Sequence, residues 1–187
     1  MVKGEQDQTR IEVFTVGHST RSAEEFVKIL EAHNINLLID VRSFPSSRRY
    51  PQFNKDALSE FLAGHHLEYR HLPSLGGRRR PRGDSKNIAW RNASFRAYAD
   101  HMESAEFKQG IKELLEPASE KRIAVMCAEA VWWRCHRSVI ADYLKSIGVV
   151  VKHIIDVNTI EIHPYTSAAR IVEGKLSYEG LLNEDQS

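Results

Sequence analysis

The sequence contains few of the features that mark secreted, membrane or disulfide-rich proteins. It has only two cysteines in 187 residues, which is too few for the disulfide framework of a small secreted domain. No apolar run approaches the roughly 20 residues that span a membrane, and the first ten residues lack the apolar core of a signal peptide. These absences predict a cytoplasmic protein with reduced thiols and no membrane partner.

The net charge gives no evidence for a nucleic-acid partner, and the glycine pattern argues against a dinucleotide-binding protein. The formal net charge is +1, so the overall charge does not by itself indicate a nucleic-acid partner. No glycine-rich dinucleotide fingerprint follows the first predicted strand, where the chain reads Gly17-His18-Ser19. We therefore expect neither a nicotinamide nor a flavin cofactor, and no other cofactor is predicted.

The order of apolar runs predicts a single-domain α/β protein. Short apolar runs of the kind found in buried strands cover residues 11–16, 37–41, 67–72, 123–127 and 149–155. Strand–helix–strand units of this length favour right-handed crossovers and parallel pairing. We predict a three-layer α/β/α fold around a mostly parallel sheet of about five strands. The domain is predicted to span residues 11–165, between a disordered segment at 1–10 and a C-terminal extension at 166–187.

Polar residues follow the predicted strands, although the strand bodies are apolar. Because the carboxyl ends of parallel strands gather on one side of a sheet, these residues are predicted to share one site. The first three strands deliver His18, Ser19, Arg21, Asp40, Arg42, Ser43, Gly76 and Gly77. The fourth delivers Cys127 and Glu129, and a predicted helix then opens at Cys135, His136 and Arg137.

Several short motifs of this chain resemble the bacterial and archaeal family called domain of unknown function 488. The two most specific are Cys127-Ala128-Glu129 and Cys135-His136-Arg137. The others are Thr15-Val16-Gly17-His18-Ser19, Asp40-Val41-Arg42-Ser43-Phe44-Pro45, Pro51-Gln52-Phe53-Asn54, Leu75-Gly76-Gly77, and Trp90-Arg91-Asn92 with Phe95 and Tyr98. The resemblance covers roughly Val13 to Tyr165. It implies little about function, so the chemistry is inferred from the residues.

Glu129 is the first candidate for acid–base or nucleophilic catalysis. It follows a buried strand and precedes the apolar residues 130–133. Apolar surroundings of this kind raise the pKa of a carboxyl group and allow it to transfer protons near neutral pH. The alternative is a structural role, in which the carboxylate holds the loop by pairing with Arg134 or Arg137.

Cys127 and Cys135 are open to three interpretations. As nucleophiles they would gain from a helix N-terminus and neighbouring arginines, which lower the pKa of a thiol. As metal ligands with His136 and either His18 or Asp40, they lack the close spacing of a zinc site, so no metal is predicted. As small buried apolar groups they need no function. The two histidines are candidates for acid–base groups, with a structural hydrogen-bonding role as the alternative.

Arginines and aromatic residues together predict an anionic ligand. The arginines in or beside the predicted site are Arg42, Arg48, Arg49, Arg91 and Arg137. Guanidinium groups bind phosphate or carboxylate through paired hydrogen bonds, and aromatic residues such as Phe53 and Trp90 offer flat surfaces that can stack a base. The predicted partner is a phosphate-bearing ligand, with a nucleotide or nucleic acid favoured. The alternative is an arginine–carboxylate network that braces the loops.

The combined interpretation is an enzyme that acts on a nucleotide or nucleic acid. Hydrolysis or transfer at the base–sugar bond, with Glu129 as the reacting carboxylate, suits these residue types. A first alternative is a thiol enzyme in which Cys127 or Cys135 attacks the substrate. A second alternative is a non-catalytic nucleic-acid-binding module that uses the arginine-rich loop at residues 76–86.

Overall fold

A computed structural model of the protein describes residues 10–180. The predicted disordered segment at 1–10 lies outside the described residues except for Arg10, as do residues 181–187 of the predicted extension. Within residues 10–180, no helix has the length and apolar character needed to cross a membrane.

The structure is built on a mostly parallel sheet, as predicted. The strands are β1 (Glu12–Gly17), β2 (Leu37–Asp40), β3 (Glu68–His71), β4 (Ile123–Cys127), β5 (Val150–Ile154), β6 (Ile160–Ile162), β7 (Arg170–Val172) and β8 (Lys175–Ser177). Six of them form one sheet in the order β3-β2-β4-β1-β5-β6, and β7 pairs with β8 separately. The first five strands run parallel and β6 is antiparallel to β5. The single α/β domain is therefore confirmed, with one antiparallel strand added at the sheet edge.

Helices cover both faces of this sheet. They are α1 (Ala23–Ala32), α2 (Lys55–Ala63), α3 (Ala93–Met102), α4 (Ala105–Leu115) and α5 (Arg137–Ser146). Successive strand residues point to opposite faces, so Val13 joins one apolar core while Phe14 joins the other. The first core also holds side chains from α3, α4 and α5, and the second holds side chains from α1 and α2. The result is the predicted three-layer arrangement.

The starts of two helices test the capping signals in the sequence. Ser22 and Glu25 form the predicted capping box, because Ser22 Oγ accepts from the Glu25 N–H at 3.1 Å and the Glu25 carboxylate accepts from the Ser22 N–H. Asn54 precedes α2 as predicted, but its side chain does not cap the helix. Its Oδ1 instead accepts a hydrogen bond from the Ser47 N–H at 2.5 Å, which braces the loop after β2.

The segment after residue 165 contributes to the main core. Ala168, Ala169 and Tyr178 are buried in the cluster that also contains α3, α4 and α5 side chains. The Tyr178 hydroxyl donates a hydrogen bond of 2.8 Å to Asp142 on α5. Residues 168, 169 and 178 of the predicted extension are therefore packed against the domain, whereas β7 between them is exposed.

Candidate functional site

The carboxyl ends of β1, β2 and β4 open onto two adjoining cavities. The first has a volume of about 530 Å³ and is lined by Arg42, Ser43, Phe44, Ser46, Gly77, Arg78, Ser94, Phe95, Cys127, Ala128, Glu129, Arg134, Cys135 and His136. The second, of about 440 Å³, is lined by His18, Ser19, Thr20, Arg42, Phe44, Ser46, Ser47, Tyr50, Ala128, Glu129 and Ala130. Since five residues line both, the two cavities form one crevice, and it contains many of the side chains predicted from the strand ends.

Two thiols lie together at the first cavity. Cys127 is the last residue of β4 and Cys135 precedes α5, and their sulfur atoms are 2.6 Å apart. Both are free cysteines and nearly inaccessible, at 2% and 5% exposure. Within residues 10–180 no group of three or more histidine, cysteine or acidic residues is placed to hold a metal ion. The pair is therefore a dithiol that contacts a cavity.

Arg137, the first residue of α5, places a buried positive charge beside these thiols. Its side chain is 1% exposed and forms no salt bridge with any carboxylate among residues 10–180. Nη2 donates to the main-chain oxygen of Glu129 at 2.6 Å, whereas Nε has no hydrogen-bond partner in the described part of the chain. A buried cation without a counter-charge is costly. A thiolate on the neighbouring cysteines would supply that charge.

The two thiols differ in acidity. Burial acts to raise the pKa of Cys135, but the hydrogen bond from Cys127, the charge of Arg137 and the Arg137 main-chain N–H outweigh it and lower the pKa from 9.0 to about 7. That N–H lies at the start of α5 and donates to the Cys135 sulfur at 3.4 Å. Burial and the interaction with Cys135 raise the pKa of Cys127 well above its ordinary value. Cys135 is therefore the more acidic of the two thiols, and the Cys127 S–H lies within reach to donate to its sulfur when Cys135 is ionised.

His136 is placed as a base for Cys135. Its Nε2 lies 3.3 Å from the main-chain oxygen of Val41 and its Nδ1 lies 3.5 Å from the Cys135 sulfur. A carbonyl oxygen only accepts, so Nε2 carries the hydrogen and Nδ1 directs a lone pair at the sulfur. Burial lowers the pKa of His136 and favours this neutral form. A Cβ at Gly77 would lie 2.5 Å from Nδ1, so the ring position requires glycine there.

His18 has the geometry of a structural residue. Its Nδ1 is 2.9 Å from the Ser19 main-chain oxygen, and its Nε2 is 3.3 Å from Nη1 of Arg42. Burial and the Arg42 charge lower its pKa to about 4, so the ring is neutral at pH 7 and accepts from the guanidinium. The ring stacks on Phe53 at 4.1 Å between centroids. Phe53 is fully buried, so the prediction that it stacks a ligand is wrong.

Arg42 and Asp40 form a buried ion pair. Arg42 Nε donates to Asp40 Oδ1 at 2.9 Å, and the Tyr69 hydroxyl donates to Asp40 Oδ2 at 2.7 Å. Arg42 lines both cavities, but its charge is balanced within the protein. For this arginine the structure favours the bracing role over phosphate binding.

Glu129 lies at the rim of both cavities. The residue is exposed, so the expectation of apolar surroundings for its carboxyl group is wrong. The alternative role, charge pairing with Arg137, is also absent, because Arg137 binds the main-chain oxygen of Glu129 and not its carboxylate. The main-chain oxygen at this position faces the buried Arg137, and the exposed residue lines both cavities.

The remaining predicted ligand residues fall into two groups. Ser19 lines the second cavity, and Ser43 and Gly77 line the first. The residues that line neither are Arg21, Arg48, Gly76, Trp90 and Arg91. Arg21 instead connects the ends of β1 and β5, because its guanidinium donates hydrogen bonds to the main-chain oxygens of Gly17 and Ile155. Trp90 stacks on Phe95 at 4.7 Å, while Arg48 and Arg91 are exposed elsewhere.

Three side chains at the cavity mouth were not among the predicted site residues. Phe44 is 67% exposed and lines both cavities, with the Arg78 guanidinium 5.5 Å from its ring centre. Arg78 and Arg134 are exposed and form no ion pair with residues of the described chain. The sequence signal for Phe44 was its place directly after Ser43, between two predicted site segments.

A buried hydrogen-bonded chain leads away from Arg137 and was not predicted. Arg137 Nη1 donates to Thr15 Oγ1 at 3.4 Å, and Thr15 Oγ1 is 2.6 Å from His153 Nδ1. His153 Nε2 is 2.9 Å from His163 Nδ1, and His163 Nε2 is 2.9 Å from Asp142 Oδ1. Burial lowers the pKa of His153 to about 2, so that ring is neutral. Three side chains therefore separate Arg137 from Asp142, the first carboxylate along these hydrogen bonds.

The end of β1 is held against the loop after β4, and this contact requires Gly17. A Cβ there would lie 1.8 Å from the Glu129 main-chain oxygen and 2.9 Å from Arg137 Nη2. We expect Gly17→Ala to lower the free energy of unfolding by at least the roughly 1–3 kcal/mol typical of overpacking. Thermal melting measures this. Gly64→Ala is the control, because its Cβ would lie 3.4 Å from the nearest atom; equal melting temperatures for the two variants would contradict the close approach.

Comparison with known proteins identifies the family of the chain. No curated protein and no solved structure matches it. A family model described as domain of unknown function DUF488 matches residues 22–144, which contain β2, β3, β4 and most of α5. The matched range includes the dithiol, Glu129, His136 and Arg137, and it begins after the Thr15–Ser19 motif. Because the match covers more than half of the 187 residues, the chain belongs to the DUF488 family.

Proposed function

We propose that this protein is a cysteine-dependent enzyme whose nucleophile is the Cys135 thiolate and whose substrate is anionic. The observation that carries the proposal is the Arg137 main-chain N–H at the start of α5, which donates to the Cys135 sulfur at 3.4 Å. The buried guanidinium of the same residue adds its positive charge and forms no salt bridge within residues 10–180. A structural cysteine pair would need no buried cation beside it. A thiolate nucleophile gains directly from one, because the charge and the helix N-terminus hold the sulfur ionised near neutral pH.

The neighbouring groups have defined roles in nucleophilic catalysis. Cys135 attacks an electrophilic centre of the bound substrate from the floor of the first cavity. The neutral Nδ1 of His136 accepts the thiol proton when Cys135 is protonated, and the resulting imidazolium can return a proton to the leaving group. Arg137 stays charged throughout and stabilises the anionic form of the sulfur. The helix start contributes the Arg137 main-chain N–H as a fixed donor.

The cavity mouth favours a phosphate-bearing substrate. The exposed cations Arg78 and Arg134 face one carboxylate, that of Glu129, so the mouth is net positive. Phe44 adds an exposed ring beside Arg78, which suits stacking of a base. A volume of about 530 Å³ falls in the range of small-molecule sites. These features support a nucleotide or the end of a nucleic acid as the ligand. The thiolate also requires a reducing compartment, in keeping with the predicted cytoplasmic location.

A second candidate keeps Glu129 as the reacting group. Its exposed carboxylate lies at the boundary shared by both cavities, beside Phe44. This position would suit attack or water activation at a base–sugar bond, with the base on the Phe44 ring. A non-catalytic nucleic-acid-binding module has less support, because Arg79 and Arg82 of the arginine-rich loop already pair with Glu106 and Asp84.

The pH dependence of thiol alkylation tests the nucleophile. Because the pKa of Cys135 is lowered to about 7, its thiolate fraction and its alkylation rate should rise with pH around a midpoint near 7. The rate is measured with iodoacetamide between pH 5 and pH 10, and the modified cysteine is located by peptide mapping. The same chain unfolded in urea is the control and should show the midpoint of an ordinary thiol, near 8.5. Identical profiles for folded and unfolded protein would refute the proposal.

A further inference from the structure

We propose that Cys127 and Cys135 form a dithiol–disulfide couple that reduces small anionic disulfides bound in the first cavity. The inference rests on the nucleophilic Cys135 of the proposed function, and it adds Cys127 as the resolving thiol together with a substrate class. The observation behind it is the contact between the two sulfur atoms at the cavity wall.

The position of Cys127 gives this second thiol a function. A nucleophile that works alone needs only a hydrogen-bond donor beside it, which a serine would provide. Here the neighbour is another sulfur at 2.6 Å, while a disulfide bond is about 2.05 Å long, so the bond can form with a small shift. The two cysteines lie at the end of β4 and just before α5, two elements docked on the same core.

The charges assign the two thiols to two different steps. Cys135 accepts the main-chain N–H of Arg137 at the helix start and lies in the field of the Arg137 charge, so it is the sulfur that attacks first. Cys127 keeps its proton until a new bond on Cys135 removes the negative charge. Its sulfur then faces the mixed disulfide directly, and the intervening residues 128–134 need not unfold. This order is the one expected of an acidic attacking thiol and a less acidic resolving thiol.

The proposed reaction balances as follows. The Cys135 thiolate attacks one sulfur of a substrate disulfide, a sulfur–sulfur bond of the substrate breaks, and one substrate thiolate leaves. Cys127 gives its proton to Nδ1 of His136 or to the departing thiolate and attacks the Cys135 sulfur. The bond between Cys135 and the substrate breaks, and the second substrate thiolate leaves. Two protein thiols are oxidised by two electrons to one disulfide, and one substrate disulfide is reduced to two thiols.

The cavity mouth determines which disulfides enter. Arg78 and Arg134 are exposed cations on the lining, and only Glu129 opposes them. A disulfide that bears carboxylates is attracted by this charge and a diamine disulfide is repelled. We therefore expect an anionic disulfide of low molecular weight to react faster than a cationic one of similar intrinsic reactivity.

The test follows single-turnover reactions of the reduced chain by intact mass and peptide mapping. The anionic probe is oxidised glutathione and the cationic probe is cystamine. The wild-type protein should end with a Cys127–Cys135 disulfide and no bound glutathione. Cys127→Ser should retain one glutathione on Cys135, and loss of the adduct should be at least about 100-fold slower than in the wild type, because resolution is no longer intramolecular.

The double variant Arg78→Gln, Arg134→Gln should lose most of the preference for the anionic probe.

The outcomes separate this inference from the proposed function. A wild-type protein that keeps a stable mixed disulfide on Cys135 would overturn the redox couple and leave the nucleophile intact. A protein whose Cys135 reacts with neither probe nor iodoacetamide near pH 7 would refute both. Equal rates with the two probes would refute the selection of anionic substrates. The products of the wild-type protein alone show whether the Cys127–Cys135 disulfide forms, so the conclusion about the redox couple does not depend on the folding of any variant.

Discussion

The rate of iodoacetamide alkylation at pH 7 is expected to be at least about tenfold lower in the Cys135→Ser variant than in the wild type. A thiol with a pKa of about 7 is half ionised at that pH, whereas an ordinary thiol is only a few per cent ionised. The remaining thiol, Cys127, lies at the end of β4, and no main-chain N–H of α5 is bonded to its sulfur. Its alkylation should therefore be slow at neutral pH.

Cys127→Ser is the matched variant for this comparison. The serine hydroxyl keeps a hydrogen-bond donor beside the Cys135 sulfur. The alkylation rate at pH 7 should therefore stay within about threefold of the wild-type rate, which is the size of effect expected for the loss of one pairwise contact. Rates are read from the loss of unmodified peptide over time. If both single variants reacted equally fast, the helix start would not be the source of the acidity, and the assignment of Cys135 as nucleophile would fail.

Replacing Arg137 with Gln should change both chemistry and stability. Without the buried cation, the midpoint of Cys135 alkylation should rise by about one pH unit or more, toward the value of a free thiol. The main-chain oxygens of Glu129 and Ala130 would lose their donor, and each buried acceptor left unpaired costs about 1–3 kcal/mol. The measurements are the alkylation profile and the melting temperature. Arg137→Lys keeps the charge and should restore much of the low midpoint.

Glu129→Gln is the control for this second prediction. Arg137 bonds to the main-chain oxygen of Glu129, so the melting temperature and the alkylation midpoint should both remain close to those of the wild type. A large fall in melting temperature would show that the carboxylate is the missing counter-charge of Arg137. If a substrate assay instead showed a loss of 10²–10⁴-fold, the size assigned to a positioned acid–base group, the Glu129 mechanism would be favoured over the thiol mechanism.

Much of the fold could be predicted because its signals are local. Apolar runs of strand length, the capping box at Ser22 and Glu25, and the helical periodicity after residue 137 each depend on neighbouring residues alone. Parallel pairing follows from the strand–helix–strand order and places the strand ends on one side. His18, Arg42, Gly76 and Glu129 could be assigned to one end of the sheet for that reason.

The roles of these residues depend on burial and long-range contacts, which local patterns do not encode. Apolar neighbours suggested a buried Glu129, yet the loop turns its main chain inward and its carboxylate outward. Phe53 was predicted to stack a ligand, but the ring is buried against His18. In both cases the direction of the side chain is set by the path of a loop over the sheet, and no spacing rule predicts that path.

Composition, apolar periodicity and strand order were enough to specify an α/β domain with a polar crevice at the strand ends. Which side chains in that crevice carry a charge was decided by tertiary structure alone. It brought the sulfurs of Cys127 and Cys135 into contact and buried Arg137 beside them, with no carboxylate of residues 10–180 paired to it. It also linked that arginine through Thr15 of β1 to His153 of β5. Acidity and nucleophilicity arise from desolvation and from fields between groups a few ångströms apart, so they exist only once the chain has folded.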